Sequence, residues 1–292
     1  MSKILFIDGH NFMFRSRSGF QLGDYNVVYN FFRSLKPLID QFEPTRVYFT
    51  LEGHPKRRHE LLPTYKANRH VIVKPDATPE EKAEFEKKRK SDEDYRRQQG
   101  VIVDALSKYF PISVMRHPDF EADDLIYNIV KNASSAVKFV VVSTDTDFIQ
   151  MLQEFKNVKL YNPVTKAFVE PPSYDYATWK ALRGDGSDNI PGIPGVGDKL
   201  AENLLDDPNE LKRLFENKSA AEQFSRNLML IKLQTWTPEE MAQVQSSKPT
   251  KDWDAVARLF EEWAFKSMLK DPYWTKFRTT FDTLWGDNEK ET

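Results

Sequence analysis

Residues 139–147 read FVVVSTDTD, an apolar run that ends in two carboxylates. Four consecutive residues that favour extended backbone are typical of a strand covered on both faces in a parallel sheet. Asp145 and Asp147 follow that strand, and ligands of open α/β sheets bind just beyond the carboxyl ends of the strands. Two neighbouring acids repel each other unless a cation lies between them. The stretch therefore predicts either a solvated turn or part of a cation site.

The same pattern occurs twice near the start of the chain. Residues 4–7 and 46–51 are strand candidates, and Asp8 and Glu52 follow them. Between them, residues 25–42 carry apolar side chains at helical spacing. Strand, helix and strand in this order predict an α/β fold with a mostly parallel central sheet flanked by helices. The acids at the strand ends would then meet at one edge of the sheet.

Composition bounds the class of protein. The chain has 292 residues, with 42 Lys and Arg against 44 Asp and Glu, and no cysteine. Because the net charge is near zero, a nucleic-acid binder would have to concentrate its basic residues locally. Disulfides and thiolate metal sites are excluded. No apolar run reaches the roughly 20 residues of a membrane span, and we expect a soluble cytoplasmic protein without a membrane partner.

Residues 54–99 form a basic segment between two strand candidates. They hold 13 Lys and Arg against 9 Asp and Glu, a net excess of four positive charges. Such a run is ordinarily a solvated helix face, but it also suits a guide for a polyanion. Tyr65 would then offer a stacking ring beside Lys66 and Arg69. Arg58 in this segment and Arg15 near the first strand end are further candidates for DNA contact.

A third group of acids, Glu121, Asp123 and Asp124, precedes an apolar helix. The helix dipole stabilises acids at this position, so capping explains one or two of them. Three acids separated by a single alanine favour a cation site instead. A fourth group, Asp185 and Asp188, lies in a glycine-rich turn after a helix that is predicted to end near residue 184.

The glycine-rich stretch continues through residues 184–199 and opens a new helix in which Leu200 is expected to face inward. Its anion-binding candidates are Gly192, Gly195, Gly197 and Lys199. Glycines at a helix start let backbone N–H groups face a phosphate. The stretch lacks the Gly-Lys-Ser/Thr of a phosphate-binding P-loop, and no strand precedes it as a dinucleotide fingerprint requires. A tight helix-to-helix connection is the plainer interpretation, to which anion binding would be an addition.

These groups together supply nine carboxylates at strand and helix ends: Asp8, Glu52, Glu121, Asp123, Asp124, Asp145, Asp147, Asp185 and Asp188. Hard divalent cations that prefer oxygen ligands can neutralise such a set. Two Mg²⁺ ions about 4 Å apart can polarise a phosphate, orient a water and stabilise the leaving oxygen. Cations behind a phosphate and a basic arm over it predict phosphodiester hydrolysis.

Five motifs in order carry a resemblance to a known family: IDGHN (7–11), YKANR (65–69), FEADD (120–124), STDTDF (143–148) and GDGSDNIPGIPGVG (184–197). The chain resembles the 5′ nucleases, the flap endonuclease and 5′–3′ exonuclease group that includes the N-terminal nuclease of bacterial DNA polymerase I and free-standing phage enzymes. The likeness covers residues 3–205 by motif. It implies a PIN-like core over residues 1–180, with a helical arch within 54–100. It also implies a helical DNA-binding region over 181–292, with a helix-three-turn-helix hairpin near 184–205.

The resemblance also implies roles for individual residues. Asp8, Glu121 and Asp123 would hold one Mg²⁺, and Asp145, Asp147, Asp185 and Asp188 would surround a second, with Asp124 between them; Mn²⁺ would substitute. Lys66 and Arg69 would be catalytic residues at the base of the arch that touch the scissile phosphate. The hairpin with Gly192, Gly195, Gly197 and Lys199 would grip duplex backbone, in this family often with a K⁺ ion.

Glu52 departs from the family pattern, in which the acid after the second strand is usually Asp. When the family pattern is aligned at Tyr65 without a gap, the position of this acid falls on Leu51. Glu52 can therefore serve as a ligand only if the loop between it and Tyr65 is one residue shorter than in the family. The expected partner is DNA with a 5′ flap, a nick or a duplex end, or an RNA primer on DNA. The enzyme would act as a monomer, in replication, primer removal or repair alongside replication proteins.

Two other functions compete with this one. A PIN-like ribonuclease would also group acids on an α/β sheet, although it rarely needs a duplex clamp. A catalytically silent, structure-specific DNA-binding protein would need some of the acids to be missing. Retained DNA binding without cleavage in an Asp145→Asn variant would separate an enzyme from a silent binder.

Overall fold

The computed structural model describes residues 2–21, 23–69 and 76–284. The sequence predicts a frayed end over residues 286–292, and these residues lie outside the described ranges. A seven-stranded sheet of order β6-β5-β4-β1-β2-β3-β9 forms the centre of the fold. A separate two-stranded sheet pairs β7 with β8. The strands are β1 Lys3–Asp8, β2 Arg46–Leu51, β3 Ser113–Arg116, β4 Lys138–Val142, β5 Val158–Asn162, β6 Ala167–Phe168, β7 Gly184–Asp185, β8 Ile190–Pro191 and β9 Gln245–Ser246.

The five inner strands, β1 to β5, are parallel, and the two-residue strands β6 and β9 close the edges in antiparallel pairing. Such short edge strands leave little unpaired backbone for another chain to extend. In the register, Asp8 pairs with Thr50 of β2, and Ile7 pairs with Val142 of β4. The carboxyl ends of the three central strands therefore lie side by side. The predicted mostly parallel α/β sheet is confirmed.

The helices flank the sheet and build the region that follows it: α1 Gly9–Arg15, α2 Asn26–Phe42, α3 Lys56–Leu61, α4 Pro79–Tyr109, α5 Ala122–Lys131, α6 Ile149–Glu154, α7 Tyr176–Arg183, α8 Asp198–Asp206, α9 Pro208–Glu216, α10 Lys218–Ile231, α11 Pro238–Met241, α12 Trp253–Glu262, α13 Lys266–Leu269 and α14 Tyr273–Asp282. No helix in the described part of the chain is long and apolar enough to cross a membrane.

Alternate residues of the central strands pack into different layers, as side chains of a pleated strand must. Leu5 and Val140 lie in a core shared with α2, α4 and the last helices of the chain. Phe6 and Val141 face the opposite layer, which α5 and α6 cover. Both faces of the sheet are thus buried, which explains why β4 has no polar alternation.

Helices α12 to α14 pack against the α/β core. Phe260, Phe277 and Phe281 are fully buried in the same cluster as Phe32 and Phe110. These aromatic residues therefore belong to the core. The predicted division at residue 180 had placed this segment with the helical DNA-binding region, whereas its packing is with the sheet layer.

Helix α4 is one continuous helix of 31 residues. The hydroxyl of Thr78 accepts from the backbone N–H of Glu81, and the carboxylate of Glu81 accepts from that of Thr78, which forms a capping box at its start. Its first half is polar and exposed, and its second half packs in the core. Within that half, Gln98 is buried and its Oε1 accepts from the backbone N–H of Val27 at 2.8 Å. Because this N–H belongs to the first turn of α2, Gln98 caps that helix from outside and joins α4 to the core.

Candidate metal centre and nucleic-acid interface

The ends of β1 and β4 bring Asp8 and Asp145 together through one serine. The hydroxyl of Ser143 donates to Asp8 Oδ2 at 2.6 Å and accepts from the backbone N–H of Asp145 at 2.9 Å. Asp8 Oδ1 also accepts from the N–H of Asn11 and so caps α1. The two acids therefore have fixed positions at neighbouring strand ends. Sequence reasoning had no signal for the role of Ser143.

Glu52 lies in the same cleft as Asp8 and Asp145. Its Oε2 accepts from the backbone N–H of Ala122 at 2.9 Å, at the start of α5. Leu51, the residue reached by gapless counting, packs against the hydrophobic core instead. The structure therefore places Glu52 at the cleft, held by a helix N-terminus that favours its charge.

Glu121, Asp123 and Asp124 form one acidic cluster, with carboxylate oxygens within 4.8 Å of one another. Asp124 is fully buried at 0% exposure, and both its oxygens are already bonded. Arg58 donates to Asp124 Oδ2 at 2.5 Å and to Oδ1 at 3.0 Å, and it also donates to Glu121 Oε2 at 2.6 Å. Asp124 therefore anchors an arginine inside the protein.

This contact corrects the predicted role of Arg58. Its side chain is only 3% exposed, and its Nε donates to the carbonyl oxygen of Leu230 at 2.8 Å. A guanidinium enclosed by two carboxylates and a carbonyl cannot reach a DNA phosphate. The charge count of residues 54–99 did not reveal this, because burial of a single arginine within a polar run depends on how α3 packs against α10.

Tyr65 is also buried, which contradicts its predicted role as a stacking ring. Its hydroxyl lies 2.8 Å from Glu121 Oε2 and 3.0 Å from Asp188 Oδ2. The ring packs with Ile190 and Leu230 in a small core below the acids. Tyr65 thus joins two acidic groups from below and presents no face to a base.

The second acidic cluster contains Asp147, Asp185 and Asp188, with oxygens within 4.8 Å of one another. Lys180 on α7 lies between two of them: its Nζ contacts Asp147 Oδ1 and lies 2.7 Å from Asp185 Oδ2. Sequence reasoning missed Lys180. The available signal was its place on the apolar face of α7, beside Ala177 and Ala181, where a lysine needs a buried partner.

Lys66 and Arg69 lie next to the acids. Lys66 Nζ contacts Glu121 Oε1 of the first cluster and lies 3.7 Å from Asp188 Oδ2 of the second. Arg69 Nη2 lies 2.7 Å from Asp188 Oδ1, and its side chain is 54% exposed. The backbone N–H of Lys66 donates to the carbonyl of Asp188 at 2.9 Å, so the base of the basic arm is attached to the acidic turn.

The carboxylates fall into two electrostatic groups. Burial opposes the charged forms of Glu121 and Asp185. At Glu121, Arg58, Lys66 and Tyr65 together outweigh burial and lower the pKa. At Asp185, Lys180 and Ser187 together lower the pKa to about 2. Burial raises the pKa of Asp8, Asp123 and Asp145. Among the described residues, no lysine or arginine forms an ion pair with Asp8, Glu52, Asp123 or Asp145. These four acids therefore lack the positive charge that their burial demands.

The stability of the metal-free protein should fall between about pH 4 and pH 8. Burial together with Asp145 raises the pKa of Asp147 to about 7, and burial with Glu121 raises that of Glu52 to about 8. Across this window both groups hold a proton in the folded state that the unfolded state has lost, so the unfolding free energy declines with pH. Urea denaturation in EDTA at a series of pH values measures this decline. Added Mg²⁺ should restore more stability at pH 8 than at pH 6, because cations bind the deprotonated groups.

The control for this pH dependence is a Glu52→Gln, Asp147→Asn double variant, which should give a flatter profile. A decline as steep as in the parent protein would show that other groups titrate. Asp185, with its pKa near 2, contributes with the opposite sign and only below about pH 4.

Helix α4 forms the far wall of the cleft above Asp8, Glu52 and Asp145. The cleft has a volume of about 620 Å³, and Tyr95 and Arg96 line it from the α4 side. Arg17 donates to Asp92 Oδ1 at 2.9 Å and holds the helix to the core. Phe14 is 60% exposed and lies edge-on to Tyr95 at the mouth of the cleft. The exposed aromatic at this site is therefore Phe14.

Arg15 lies at the rim, where its Nη2 donates to Thr144 Oγ1 at 2.7 Å. The glycine-rich stretch lies between α7 and α8, where β7 pairs with β8. A side chain at Gly192 would come within 2.0 Å of the carbonyl oxygen of Arg183, and Gly195 has a φ of +84°, so both positions require glycine. Gly195, Gly197 and Lys199 are exposed, whereas Leu200 is 44% exposed and not inward-facing as predicted.

The carboxyl edge of the parallel sheet thus carries two acidic clusters, together with carboxylates that form no ion pair among the described residues, and such a set of oxygen ligands suits divalent cations. Residues 3–178 match the 5′-3′ exonuclease N-terminal resolvase-like domain, and residues 171–258 match the 5′-3′ exonuclease C-terminal SAM fold. The first match alone covers more than half of the chain. The chain belongs to the 5′-3′ exonuclease family, and the predicted family and fold class are confirmed.

Two curated relatives are similar over nearly the whole chain. A 5′-3′ exonuclease of Aquifex aeolicus is 26% identical over 302 residues, which cover 93% of this chain and 95% of the relative. A thermostable DNA polymerase I of Thermus filiformis is 29% identical over 318 residues, which cover 99% of this chain and 34% of the polymerase. The chain thus spans about a third of that polymerase.

Solved structures share the fold at low identity. The 5′-exonuclease of bacteriophage T5 with bound zinc ions has a TM-score of 0.63 at 20% identity, covering 97% of this chain and 99% of that one. Flap endonuclease-1 of Methanococcus jannaschii has a TM-score of 0.62 at 18% identity, covering 100% and 94%. These likenesses concern the arrangement of the chain.

Proposed function

We propose that this chain hydrolyses DNA phosphodiesters at 5′ flaps, nicks and duplex 5′ ends with the aid of two Mg²⁺ ions, for which Mn²⁺ can substitute. The observation that carries the proposal is the position of Asp8, Glu52 and Asp145, which lie together in the cleft below α4 and form no ion pair with a basic side chain among the described residues. Buried carboxylates whose pKa is raised by burial are the groups that a divalent cation neutralises.

The two clusters divide the ligands. We assign Asp8, Glu52, Glu121 and Asp123 to one ion, and Asp145, Asp147, Asp185 and Asp188 to the other. Asp124 has both oxygens committed to Arg58 and to the backbone N–H of Gln234, so we assign it the role of holding Arg58 rather than that of a ligand. When bound, the ions would polarise the phosphate and generate the hydroxide that attacks it.

The cationic side chains around the acids position the substrate. When no ions are bound, they neutralise part of the charge of the carboxylates. Lys66 contacts both acidic clusters, so it can turn to the scissile phosphate once cations neutralise Glu121 and Asp188. Arg69 is half exposed at the mouth and offers a planar fork for a phosphate. The ring of Phe14 supplies a stacking surface for an unpaired base at the entrance of the cleft.

The hairpin between α7 and α8 is the proposed duplex grip. Exposed Gly195 and Gly197 let a phosphate approach the backbone N–H groups at the start of α8, and Lys199 lies in its first turn. Residues 192–197 would hold a K⁺ ion, which would supply positive charge for a phosphate at this hairpin. The residues that bind the duplex and the residues that cleave it would lie on separate elements, which α7 joins.

Replacing Lys66 with Met should lower the single-turnover cleavage rate about 100-fold, because a charge close to the phosphate contributes most in the transition state. Rapid-quench kinetics with a labelled flap measure this rate. The matched control is Lys56→Met, which removes an exposed lysine that lies outside the cleft. An equal loss in both variants would show that only the general charge of the arm matters.

The proposed function is tested with a duplex bearing a labelled 5′ flap, in Mg²⁺ and in EDTA, beside a labelled RNA hairpin. We expect Mg²⁺-dependent release of the flap near the junction and no cleavage of the hairpin. Tight flap binding without cleavage would replace this proposal with a silent DNA-binding protein. Cleavage of the RNA alone would replace it with a PIN-like ribonuclease.

We further propose that the enzyme acts as a monomer, in removal of primers or in repair, and that it also accepts RNA primer–DNA substrates. Its arch would lie within residues 54–100 of the nuclease core and its duplex grip in the helical region after residue 180. The exposed run Lys87, Lys88, Arg89 and Lys90 in the first half of α4 supports the first assignment. Sedimentation with and without the flap duplex measures the oligomeric state.

A further inference from the structure

A second concave site lies at the edge of the sheet opposite the acids. This groove has a volume of about 600 Å³ and is lined by the start of β1 and β4, by β5 and by the end of α2. Phe42, Val140 and Phe168 supply its apolar floor, and Phe168 is 42% exposed. The floor can therefore receive an apolar side chain that comes from outside the fold.

Four lysines surround this floor: Lys3, Lys138, Lys156 and Lys159. The strand register places three of them on one face, because Lys3 pairs directly with Lys138, and Lys159 pairs with Val140, two residues further along the same strand. Like charges opposite each other on one face of a sheet are destabilising. The arrangement therefore concentrates positive charge beside an apolar surface.

The described residues of the chain supply no counter-charge in this place. None of the described residues that line the groove is Asp or Glu. Lys3 donates to the carbonyl oxygen of Phe42 at 2.6 Å, and the ammonium of Lys159 lies 5.1 Å from the ring centroid of Phe168. In the part of the chain that the structure describes, no acidic side chain pairs with Lys138 or Lys156.

We propose that this groove binds an acidic peptide segment of a partner protein, with one apolar side chain on the floor and carboxylates on the lysines. The combination of a concave apolar floor and a basic rim selects this ligand. A DNA backbone would satisfy the lysines but would leave the apolar floor uncovered, whereas a neutral apolar segment would leave the lysines unpaired. An acidic peptide with an aromatic residue satisfies both.

The groove can bind a peptide while the acidic cleft binds its substrate. Lys3 begins β1 and Asp8 ends it, so the two sites are separated by the length of that strand, roughly 17 Å at 3.3 Å per residue. The inference does not depend on the proposed nuclease function. Loss of peptide binding and loss of flap cleavage are separate measurements on the same protein.

The test uses fluorescence anisotropy of the full chain with a labelled synthetic peptide, Glu-Asp-Glu-Phe-Asp-Glu. The Lys138→Glu, Lys156→Glu double variant should weaken binding about tenfold or more, because two attractive contacts become repulsive. The matched control is Lys266→Glu, Lys270→Glu, which changes net charge equally with exposed lysines outside the groove. Flap cleavage should stay unchanged in both variants. The unfolding temperature should not fall in either, and relief of the Lys3–Lys138 repulsion can raise it in the first.

Two further probes separate the floor from the rim. A peptide with Ser in place of Phe should bind about tenfold more weakly, and Phe168→Ser should weaken the parent peptide similarly. Equal binding of the Phe and Ser peptides would overturn the proposal, as would peptide affinity that survives the Lys138→Glu, Lys156→Glu exchange. Duplex DNA in EDTA whose affinity depends on these two lysines, without any peptide binding, would assign the rim to nucleic acid and also overturn it.

Discussion

Asp145→Asn should lower Mg²⁺-dependent cleavage about 1,000-fold while binding of flap DNA is kept or tightened. Asp145 follows β4 and lies in the cleft with Asp8 and Glu52, and no basic side chain in the described part of the chain forms an ion pair with it. Asn keeps the size of the side chain and can still accept from the backbone N–H of Asp147, a bond of 2.9 Å. The substitution thus removes a charge without removing the turn.

The measurements are single-turnover cleavage in Mg²⁺ and binding of the same flap in EDTA. Asp92→Asn is the matched control, since Asp92 lines the same cleft but is neutralised by Arg17. It should keep cleavage within a few fold. Cleavage that survives Asp145→Asn would mean that the second ion is not held where we assign it. If both DNA binding and cleavage are lost, the variant has a folding defect, which circular dichroism would detect.

Arg58→Ala should destabilise the protein by about 3–5 kcal/mol, because it leaves buried carboxylates without their partner. Arg58 is 3% exposed and contacts Glu121 and Asp124, whose oxygens have little access to water. Truncation removes three charge-assisted hydrogen bonds and leaves Asp124 charged in a dry environment. The free energy of unfolding is measured with urea in EDTA.

The neighbouring residue provides the control. Arg57 is 42% exposed on its side chain and pairs with Glu240 at the surface, so Arg57→Ala should change stability by less than about 1 kcal/mol. A double-mutant cycle adds a sharper test: in an Asp124→Asn background, Arg58→Ala should cost clearly less, because the uncharged amide no longer needs the guanidinium. Equal costs in the two backgrounds would contradict the assignment of Arg58 as the partner of Asp124.

The sequence by itself determined the fold class, the family and the set of acids. Apolar runs that end in Asp or Glu carry this information, since a strand buried on both faces must be apolar and its carboxyl end must meet the ligand. Asp8 and Asp145 lie at adjacent strand ends as this reasoning requires. The need for glycine at residues 192 and 195 could also be predicted from the sequence. A close backbone approach and a positive φ are properties of a short stretch of chain.

Only the tertiary structure decided how the charges are used. Arg58, Tyr65 and Lys180 belong to polar or mixed stretches, yet each is buried against acids from distant parts of the chain. Burial and pairing are set by the packing of whole elements, which no local pattern contains. The same holds for the lysine groove, where the register of β1, β4 and β5 brings together residues 3, 138 and 159. The pattern of side chains along the chain thus specifies the elements, and long-range packing specifies which charges face each other.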